Sequence, residues 1–374
     1  MNLHVLDSFD FFTGVPDSLL RPLSLYLADR FAEPAKHIIA ANEGNCAAIA
    51  AGYHLATGKV PVVYMQNSGI GNVLNPTASL LNHRVYGIPV LFIIGWRGEP
   101  LIHDEPQHLF QGEITLALLN TLGLETLDIT KDIQDKACLD WLEAMRSLFR
   151  EGKSAVMLVR KDAFTYPKET CFINPYTMSR EDAVRCILKY ANHGAIVSTT
   201  GMASRELYAL RAETGQGHER DFLTVGSMGH ASSIALGIAL HTRDRKIYCI
   251  DGDGAALMHM GALAVIGAQK PPNLIHILIN NAAHDTVGGM PTVADKVVWP
   301  MVARGCGYPE AVTVDTYDAL GGALRRAIKS NVLWFIEVKV RLGARAGLGR
   351  PSEPPIENKR LYMEYLQSGI IPDE

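Results

Sequence analysis

The sequence predicts an α/β protein made of two domains of similar size, each with a mainly parallel β-sheet flanked by helices. Short apolar, β-branched runs alternate with helical patterns through most of the chain, which is typical of parallel strands joined by helical crossovers. The length of 374 residues corresponds to about two to three domains. An aperiodic, proline-containing stretch interrupts the alternation near the middle of the chain, and we interpret residues 166–178 as an interdomain linker.

In the first half of the chain, apolar runs of strand length are separated by helical segments. Residues 45–56 form a helical pattern rich in small side chains, and a further helix is expected between the second and third strands. We assign residues 1–165 to the first domain. Its predicted strands are residues 37–41, 60–65, 88–95 and 154–160.

The second half repeats this alternation from a helix at residues 181–191. A helix is predicted over residues 256–269, and a Gly-, Pro- and Arg-rich loop over 341–355 precedes a last helix near 359–367. We assign residues 179–374 to the second domain, with no third domain between the two. Its predicted strands are residues 195–199, 222–225, 246–250, 274–280 and 332–338.

The composition excludes several classes of protein. With 35 basic and 39 acidic residues the formal net charge is −4. The protein therefore lacks the excess of basic residues that a general nucleic-acid binder carries. The longest apolar runs are far shorter than the roughly 20 residues that span a bilayer. Residues 1–10 are acidic and carry no basic stretch, unlike a signal peptide. We therefore expect a cytoplasmic protein that binds neither nucleic acid nor membranes.

The cysteines give no sign of a metal or redox motif. The six are widely spaced and form no CxxC pair, which disfavours zinc and dithiol sites. We expect most of them to be small buried side chains in a reducing compartment. They are Cys46, Cys138, Cys171, Cys186, Cys249 and Cys306.

The strongest chemical signal is Gly252-Asp253-Gly254 directly after one predicted strand, with Asn280-Asn281 at the end of the next. Because successive parallel strands deliver their carboxyl ends to the same sheet edge, Asp253 and the asparagine pair are expected to meet there. Carboxylate, amide and carbonyl oxygens suit magnesium or calcium. The flanking glycines would let the backbone approach a diphosphate at a helix N-terminus.

This pattern resembles the cofactor motif of the thiamine diphosphate (ThDP)-dependent enzymes, in which a GDG turn is followed at this spacing by NN. The resemblance implies two ThDP-fold domains, a pyrimidine-binding and a diphosphate-binding one. In the family, the aspartate, the second asparagine and a carbonyl two residues later bind Mg²⁺, which implies metal ligands at Asp253, Asn281 and Ala283. The cofactor-binding residues that the resemblance implies are Glu43, Thr200, Gly201, Met202, Gly226, Met228, Gly252, Asp253, Gly254, Ala255 and Asn281.

Glu43 follows a predicted strand and opens a helix of small residues. On its own, an acid at this place equally fits a helix N-terminus, where the dipole favours negative charge. The resemblance instead implies the family glutamate that faces N1′ of the aminopyrimidine. In the same way, Gly226 would accept a hydrogen bond from the 4′-amino group, Met228 would bend the cofactor, and residues 66–69 match a further turn that faces it.

Two such domains with a short linker resemble the compact family of phosphonopyruvate and sulfopyruvate decarboxylases. The matching segments are residues 14–18, 104–108, 226–231, 280–292 and 348–351. The resemblance implies a carbon–carbon lyase that uses ThDP and Mg²⁺ to convert 3-phosphonopyruvate to phosphonoacetaldehyde and CO₂ in phosphonate biosynthesis. Sulfopyruvate decarboxylation stays open as an alternative.

An anionic 2-oxo acid substrate requires local cations, because the protein as a whole is slightly acidic. Arginine suits a phosphonate since its planar fork can donate two hydrogen bonds, although each charge equally fits a solvated surface. We take His284, which adjoins the implied metal turn, as catalytic together with Glu43. The candidate substrate residues are Asp17, Ser18, Arg97, His103, His108, Arg345 and Arg350.

The resemblance further implies a homo-oligomer, a dimer or higher, with active sites at the subunit interface. A catalytically silent ThDP-fold subunit is an alternative, but the complete set of Glu43, Asp253 and Asn281 argues against it. A Rossmann dehydrogenase is disfavoured because no GxGxxG follows the first strand.

Overall fold

The structure is a computed structural model that describes residues 1–33, 35–168, 172–287 and 289–368. The chain divides into two compact units, Met1–Cys171 and Phe172–Glu374. The division falls within the segment predicted as the linker, while the bounds given above for the domains stay a prediction. Cys171, with the rest of linker residues 169–171, lies outside the described residues, as do Pro34, Gly288 and residues 369–374.

The first unit contains a six-stranded parallel sheet. Its strands are β1 (Phe12–Gly14), β2 (His37–Ile39), β3 (Val62–Gln66), β4 (Leu91–Gly95), β5 (Glu125–Ile129) and β6 (Ala155–Val159). Its helices are α1 (Arg21–Arg30), α2 (Glu43–Thr57), α3 (Ile70–Pro76), α4 (Pro106–Thr121) and α5 (Asp135–Arg150). The strand order is β2-β1-β3-β4-β6-β5, with every neighbouring pair parallel. The carboxyl ends of β2, β1, β3 and β4 therefore lie side by side.

The second unit repeats this architecture from α6 (Arg180–Tyr190) onwards. Its main strands are β7 (Ala195–Ser198), β8 (Asp221–Leu223), β9 (Ile247–Gly252), β10 (Leu274–Asn280), β13 (Glu310–Val314) and β14 (Trp334–Lys339), and β11 (Ala283–His284) with β12 (Met290–Pro291) forms an antiparallel hairpin. The further helices are α7 (Met202–Glu213), α8 (Ala231–His241), α9 (Asp253–Met258), α10 (Gly261–Gln269), α11 (Trp299–Gly305), α12 (Tyr317–Lys329) and α13 (Pro355–Gln367).

The main sheet of the second unit has the order β13-β14-β10-β9-β7-β8, and all of its pairs are parallel. All seven residues of β10 are buried, as expected for a parallel strand covered on both faces. The loops after β8, β7, β9 and β10 thus lie next to one another along one edge. None of the helices in the described residues is both long and apolar enough to cross a membrane.

The predicted fold class is confirmed, and the predicted strands and helices are present with ends shifted by up to four residues. The single helix predicted over residues 256–269 is wrong. The chain leaves helical geometry at His259, where φ is −131° and ψ is 48°, and separates α9 from α10. Gly229 packs against this turn, since a Cβ there would lie 2.5 Å from the His259 ring. Small apolar residues continue on both sides of the break, so their periodicity carries no sign of it.

Candidate active site

Asp253 is the first residue of α9 and follows directly on β9. Its side chain is buried, and its Oδ2 accepts a hydrogen bond from Thr292 Oγ1 at 2.7 Å. Burial raises the pKa of Asp253 to about 6, and the bond from the Thr292 hydroxyl opposes this shift only in part. The metal-free protein therefore holds a carboxylate whose negative charge is poorly compensated.

The asparagine pair ends the strand that neighbours β9, at the sheet edge that also carries this carboxylate. In the sheet, Ile279 of β10 is the register partner of Gly252 of β9. Thr292 links the two strand ends directly, because its backbone N–H donates to Ala282 O at 2.8 Å while its hydroxyl donates to Asp253. The sequence reasoning missed Thr292, since nothing in its spacing indicates this double contact.

The turn after β10 holds the other two predicted metal ligands. Asn281 is buried, and its Oδ1 accepts the backbone N–H of Ala283 at 3.0 Å. Ala282 between them has a φ of 60°, a conformation that costs a non-glycine residue about 1–2 kcal/mol. An amide oxygen keeps a second lone pair after one hydrogen bond. Together with the buried Asp253 carboxylate, these oxygens form a donor set that fits Mg²⁺.

His284, Met228 and Gly254 converge at the start of α9. A Cβ on Gly254 would lie 3.1 Å from His284 Cε1 and 3.2 Å from Met228 Cε, so glycine is what allows the three segments to meet. Burial lowers the pKa of His284 to about 4, and the ring is therefore neutral at pH 7.

The loops after β7 and β8 form the adjoining part of the same edge. Thr200 Oγ1 donates to Val225 O at 2.9 Å and so ties the two loops together. Gly201 has φ 92° and ψ −139° and precedes α7, a conformation that is open essentially to glycine alone. Ser227 also has a positive φ of 52°. The structure thus brings the predicted residues 200–202 and 226–228 to the edge that carries Asp253.

In the first unit, Glu43 opens α2 and is buried. Its Oε2 accepts a hydrogen bond from Asn72 Nδ2 at 2.6 Å. Gly69 packs against the same carboxylate, since a Cβ there would lie 2.6 Å from Glu43 Oε1. Residue 69 belongs to the predicted cofactor-facing turn, whereas the contact with Asn72 was not predicted.

Four of the predicted substrate residues lie near one another at the carboxyl edge of the first sheet. Asp17 is buried and accepts a hydrogen bond from Gln66 Nε2 at 2.6 Å. Burial raises the pKa of the Asp17 carboxyl, although Gln66 and the charge of Arg97 oppose the shift. Ser18 Oγ accepts a hydrogen bond from Arg97 Nη1 at 3.1 Å. Burial, aided by Arg97, lowers the pKa of His108 to about 4.

The guanidinium of Arg97 is held by Asp104. Arg97 Nε donates to Asp104 Oδ2 at 2.7 Å, Nη2 donates to Oδ1, and the side chain is 20% exposed. A guanidinium has five N–H donors. Two of them bind Asp104 and one binds Ser18. One N–H on each of Nη1 and Nη2 has no partner among the described residues, and the fork is fixed for a further acceptor.

The remaining candidate substrate residues lie at exposed positions. His103 is exposed, as are Arg345 and Arg350 in the tail of the second unit. The guanidinium of Arg345 forms ion pairs with Glu213 and, at 3.6 Å, with Glu181. Its charge is therefore already offset by carboxylates.

Seven carboxylates among the described residues are buried. Four of them contact a basic side chain, in the pairs Arg180–Glu206, Arg211–Asp221, His276–Asp251 and Lys339–Glu337. Within the same part of the chain, the other three form no ion pair and accept hydrogen bonds from neutral side chains. They are Asp17, Glu43 and Asp253. Buried acids without a cationic partner are characteristic of functional sites.

Cys249, Asp251 and His276 form a buried group whose possible ligand atoms lie within 4.8 Å of one another. Structural zinc sites almost always use four ligands, and no fourth His, Cys, Asp or Glu of the described chain joins these three. His276 instead contacts Asp251 at 3.4 Å and Tyr308 Oη at 3.2 Å. We interpret the group as a hydrogen-bonded part of the sheet interior.

Comparison with known protein families matches both parts of the chain that carry these residues. A family model described as "Thiamine pyrophosphate enzyme, N-terminal TPP binding domain" matches residues 5–119, and the corresponding C-terminal TPP binding domain matches residues 199–338. The two matched segments contain the two clusters described above, with Glu43 in the first and Asp253 in the second.

Curated relatives match nearly the whole chain. Phosphonopyruvate decarboxylases of Streptomyces viridochromogenes and Streptomyces hygroscopicus are each 34% identical, over 94% of this chain and 90% and 89% of theirs. A sulfopyruvate decarboxylase of Methanosarcina acetivorans is 28% identical over 85% of both chains. The family expected from the motifs is thereby confirmed. The chain belongs to the thiamine diphosphate-dependent enzymes, in the family of carbon–carbon lyases that includes the phosphonopyruvate and sulfopyruvate decarboxylases.

Proposed function

We propose that this protein decarboxylates 3-phosphonopyruvate to phosphonoacetaldehyde and CO₂, with ThDP and Mg²⁺ as cofactors, as a step in phosphonate biosynthesis. The observation that carries the proposal is the set of three buried carboxylates without a cationic partner, Asp17, Glu43 and Asp253. A metal ion and a pyrimidine nitrogen would supply the partners that Asp253 and Glu43 lack. Burial raises the pKa of Asp17 and so favours its protonated form, which can donate a hydrogen bond to an anionic substrate. The names of the relatives supply the substrate.

Asp253, Asn281 and the main-chain carbonyl of Ala283 would hold Mg²⁺. The cation would offset the cost of the buried Asp253 carboxylate and the charge of a diphosphate. Gly252, Gly254 and Ala255, with residues 200–202 on the adjoining loop, would surround the diphosphate with backbone groups. Gly226 and Met228 would support the aminopyrimidine.

Bound ThDP supplies an electron sink for the pair of electrons that remains when the substrate carboxylate leaves as CO₂. The chain supplies position and proton control. Glu43 would hold a proton at pyrimidine N1′, with Asn72 fixing one of its oxygens and Gly69 leaving room for the carboxyl group. His284 is neutral at pH 7, so it can accept a proton from the substrate or donate its own N–H.

Arg97 is the cation we propose for the phosphonate. Its fork is oriented by Asp104 and Ser18 and keeps two N–H donors without a partner in the described chain. A guanidinium suits a phosphonate group because it can donate to two of its oxygens. Arg345 is a weaker candidate because its side chain is exposed and faces two carboxylates, Glu213 and Glu181, whereas the less exposed Arg97 pairs with Asp104. Pyruvate offers a methyl group in place of the phosphonate, so it would leave these donors unpaired.

Decarboxylation assays with 3-phosphonopyruvate, 3-sulfopyruvate and pyruvate test the proposal. The protein, supplied with ThDP and Mg²⁺, is expected to release CO₂ with the highest kcat/KM from 3-phosphonopyruvate. Arg97→Lys should lower that value by roughly 10- to 100-fold and lower the value for pyruvate less. Arg345→Lys serves as the matched control and should leave the ratio unchanged.

Each outcome of this assay has a definite meaning. A wild-type preference for sulfopyruvate would replace the proposed substrate by the alternative that the third relative names. Equal losses on all three acids in Arg97→Lys would contradict the role of Arg97. Release of CO₂ from none of them would support a silent subunit and overturn the proposal.

A further inference from the structure

The turn that carries two of the proposed metal ligands, Asn281 and Ala283, is held by a residue that is not itself a proposed ligand. Asn280, the first asparagine of the pair, is completely buried at the end of β10. Its Oδ1 accepts the backbone N–H of Ala282 at 3.0 Å. Ala282 is the residue with the left-handed φ of 60°. The Asn280 amide therefore holds the strained residue that separates Asn281 from Ala283.

The other end of the Asn280 amide is fixed by an acid on the neighbouring strand. Asn280 Nδ2 donates to Glu337 Oε1 at 2.7 Å. Glu337 lies on β14, opposite Leu278 of β10 in the register of the sheet. Asn280 can thus hold Ala282 in only one orientation, because flipping its amide would place a carbonyl oxygen against the carboxylate.

Glu337 is itself held from two sides. It is 2% exposed, its Oε2 accepts a hydrogen bond from Thr313 Oγ1 at 2.6 Å, and its Oε1 lies 2.6 Å from Lys339 Nζ. An apolar residue in place of a buried ion pair is often neutral or stabilising, so stability alone gives little reason for the pair. A carboxylate at this position orients the Asn280 amide. It also offsets the positive charge of Lys339, which lowers the pKa of Asp253.

We propose that Glu337 is a positioning residue for the metal-binding turn, acting through Asn280 to orient the Asn281 amide oxygen and the Ala283 carbonyl. The inference rests on the proposed Mg²⁺ and ThDP site. Groups that orient metal ligands typically contribute 10- to 100-fold to metal affinity. The loss of Glu337 should therefore weaken the cation and cofactor without removing any ligand.

The test measures Mn²⁺ binding to the full-length protein in the presence of ThDP, by the electron paramagnetic resonance signal of free Mn²⁺. Glu337→Met leaves no oxygen to accept the Asn280 N–H, and it is expected to raise the Mn²⁺ dissociation constant at least about 10-fold. Thr313→Val is the matched control, since it removes one hydrogen bond to Glu337 but leaves the carboxylate facing Asn280. It should change the constant by less than about threefold. Equal affinity in Glu337→Met and the wild type would overturn the inference.

A double variant separates positioning from simple charge. Glu337→Met leaves Lys339 uncompensated near Asp253, which alone would repel a cation. Glu337→Met combined with Lys339→Gln removes this repulsion but not the loss of alignment. Affinity that stays at least about 10-fold weakened in the double variant supports positioning through Asn280. Recovery of wild-type affinity would show that only the charge of Lys339 matters and would overturn the inference.

Two further variants keep the test decisive. If Glu337→Met does not fold, Asn280→Ala cuts the same link while leaving the contacts of Glu337 with Thr313 and Lys339 in place, and it should weaken Mn²⁺ binding equally. Unchanged affinity in Asn280→Ala would overturn the inference. Asp253→Ala tests the site itself. If it binds Mn²⁺ normally, the proposed metal site is wrong, whereas normal binding by Glu337→Met and Asn280→Ala alone refutes only the positioning role.

Discussion

Replacing Asp253 with asparagine is expected to stabilise the metal-free protein and to abolish metal-dependent cofactor binding. The Asp253 carboxylate is buried, and in the described structure its side chain is contacted by the neutral hydroxyl of Thr292. Asparagine keeps an acceptor for that hydroxyl and carries no charge. The substitution therefore removes the electrostatic cost of the site together with the carboxylate that would bind the metal.

The magnitude follows from the pKa of Asp253, which burial raises from 3.8 to about 6. At about 1.4 kcal/mol per unit, the ionised carboxylate destabilises the metal-free folded state by about 3 kcal/mol. Because the folded-state pKa lies above the unfolded-state value, the folded state binds the extra proton, and stability falls as pH rises from about 4 through about 6. The advantage of the asparagine variant should roughly double between pH 5 and pH 8, where it reaches about 3 kcal/mol.

The assay is thermal unfolding of chelator-treated protein at pH 5 and pH 8, with and without ThDP and Mg²⁺. A gain of about 3 kcal/mol in a unit of this size corresponds to a rise in Tm of roughly 6–12 °C at pH 8. ThDP with Mg²⁺ should stabilise the wild type and leave Asp253→Asn unchanged. Asp221→Asn is the matched control, and it should lower Tm because Arg211 would lose its buried counter-charge. A variant less stable than the wild type at pH 8, or a gain that is the same at both pH values, would refute the reasoning.

Three further outcomes are expected. Glu43→Gln should still bind ThDP but slow proton–deuterium exchange at the thiazolium C2 by about 10²- to 10⁴-fold, and wild-type exchange would show that Glu43 serves only the helix. Mixing inactive Glu43→Gln and Asp253→Ala chains should restore part of the activity if active sites draw residues from two chains, whereas mixed assemblies that form but stay inactive would contradict a shared site. Gly254→Ala should weaken ThDP binding in titration calorimetry, because the added Cβ would press on His284 and Met228, and unchanged affinity would place the diphosphate elsewhere.

The sequence predicted the sheets well where strands are long and covered on both faces. β10 and β4 are buried at every position and read as continuous apolar runs. The strands it missed are short or at a sheet edge. β1 has three residues, too few for a periodic signal, and β5 and β13 are edge strands with partly exposed, mixed polar faces. Their pairing depends on tertiary context rather than on local pattern.

For the site, the sequence predicted which strand ends would meet but not which side chains would join them. Asp253 and Asn281 are adjacent because parallel topology brings successive strand ends to one edge, a rule that needs only the order of elements. Thr292 reaches Asp253, and Asn72 reaches Glu43, from loops and helices whose paths depend on packing. Such contacts have no fixed spacing in the chain. Glu337 was missed for the same reason, since it lies 57 residues beyond Asn280.

The presence of an ion-pair partner distinguishes buried acids that stabilise the fold from buried acids of the candidate site. No local pattern in the sequence shows which acids have such a partner. Glu206 and Asp253 are both buried carboxylates of one unit, yet Arg180 neutralises the first whereas a hydroxyl contacts the second. Removing Glu206 leaves the buried charge of Arg180 without its partner and is expected to destabilise the protein by about 3–5 kcal/mol. Neutralising Asp253 instead removes a buried charge that has no ion-pair partner. The two substitutions therefore have opposite signs of effect on stability. For the cations, orientation and burial favour Arg97 over Arg345 as the phosphonate ligand, because Asp104 and Ser18 hold the mostly buried Arg97 guanidinium, whereas Arg345 is exposed and faces two carboxylates.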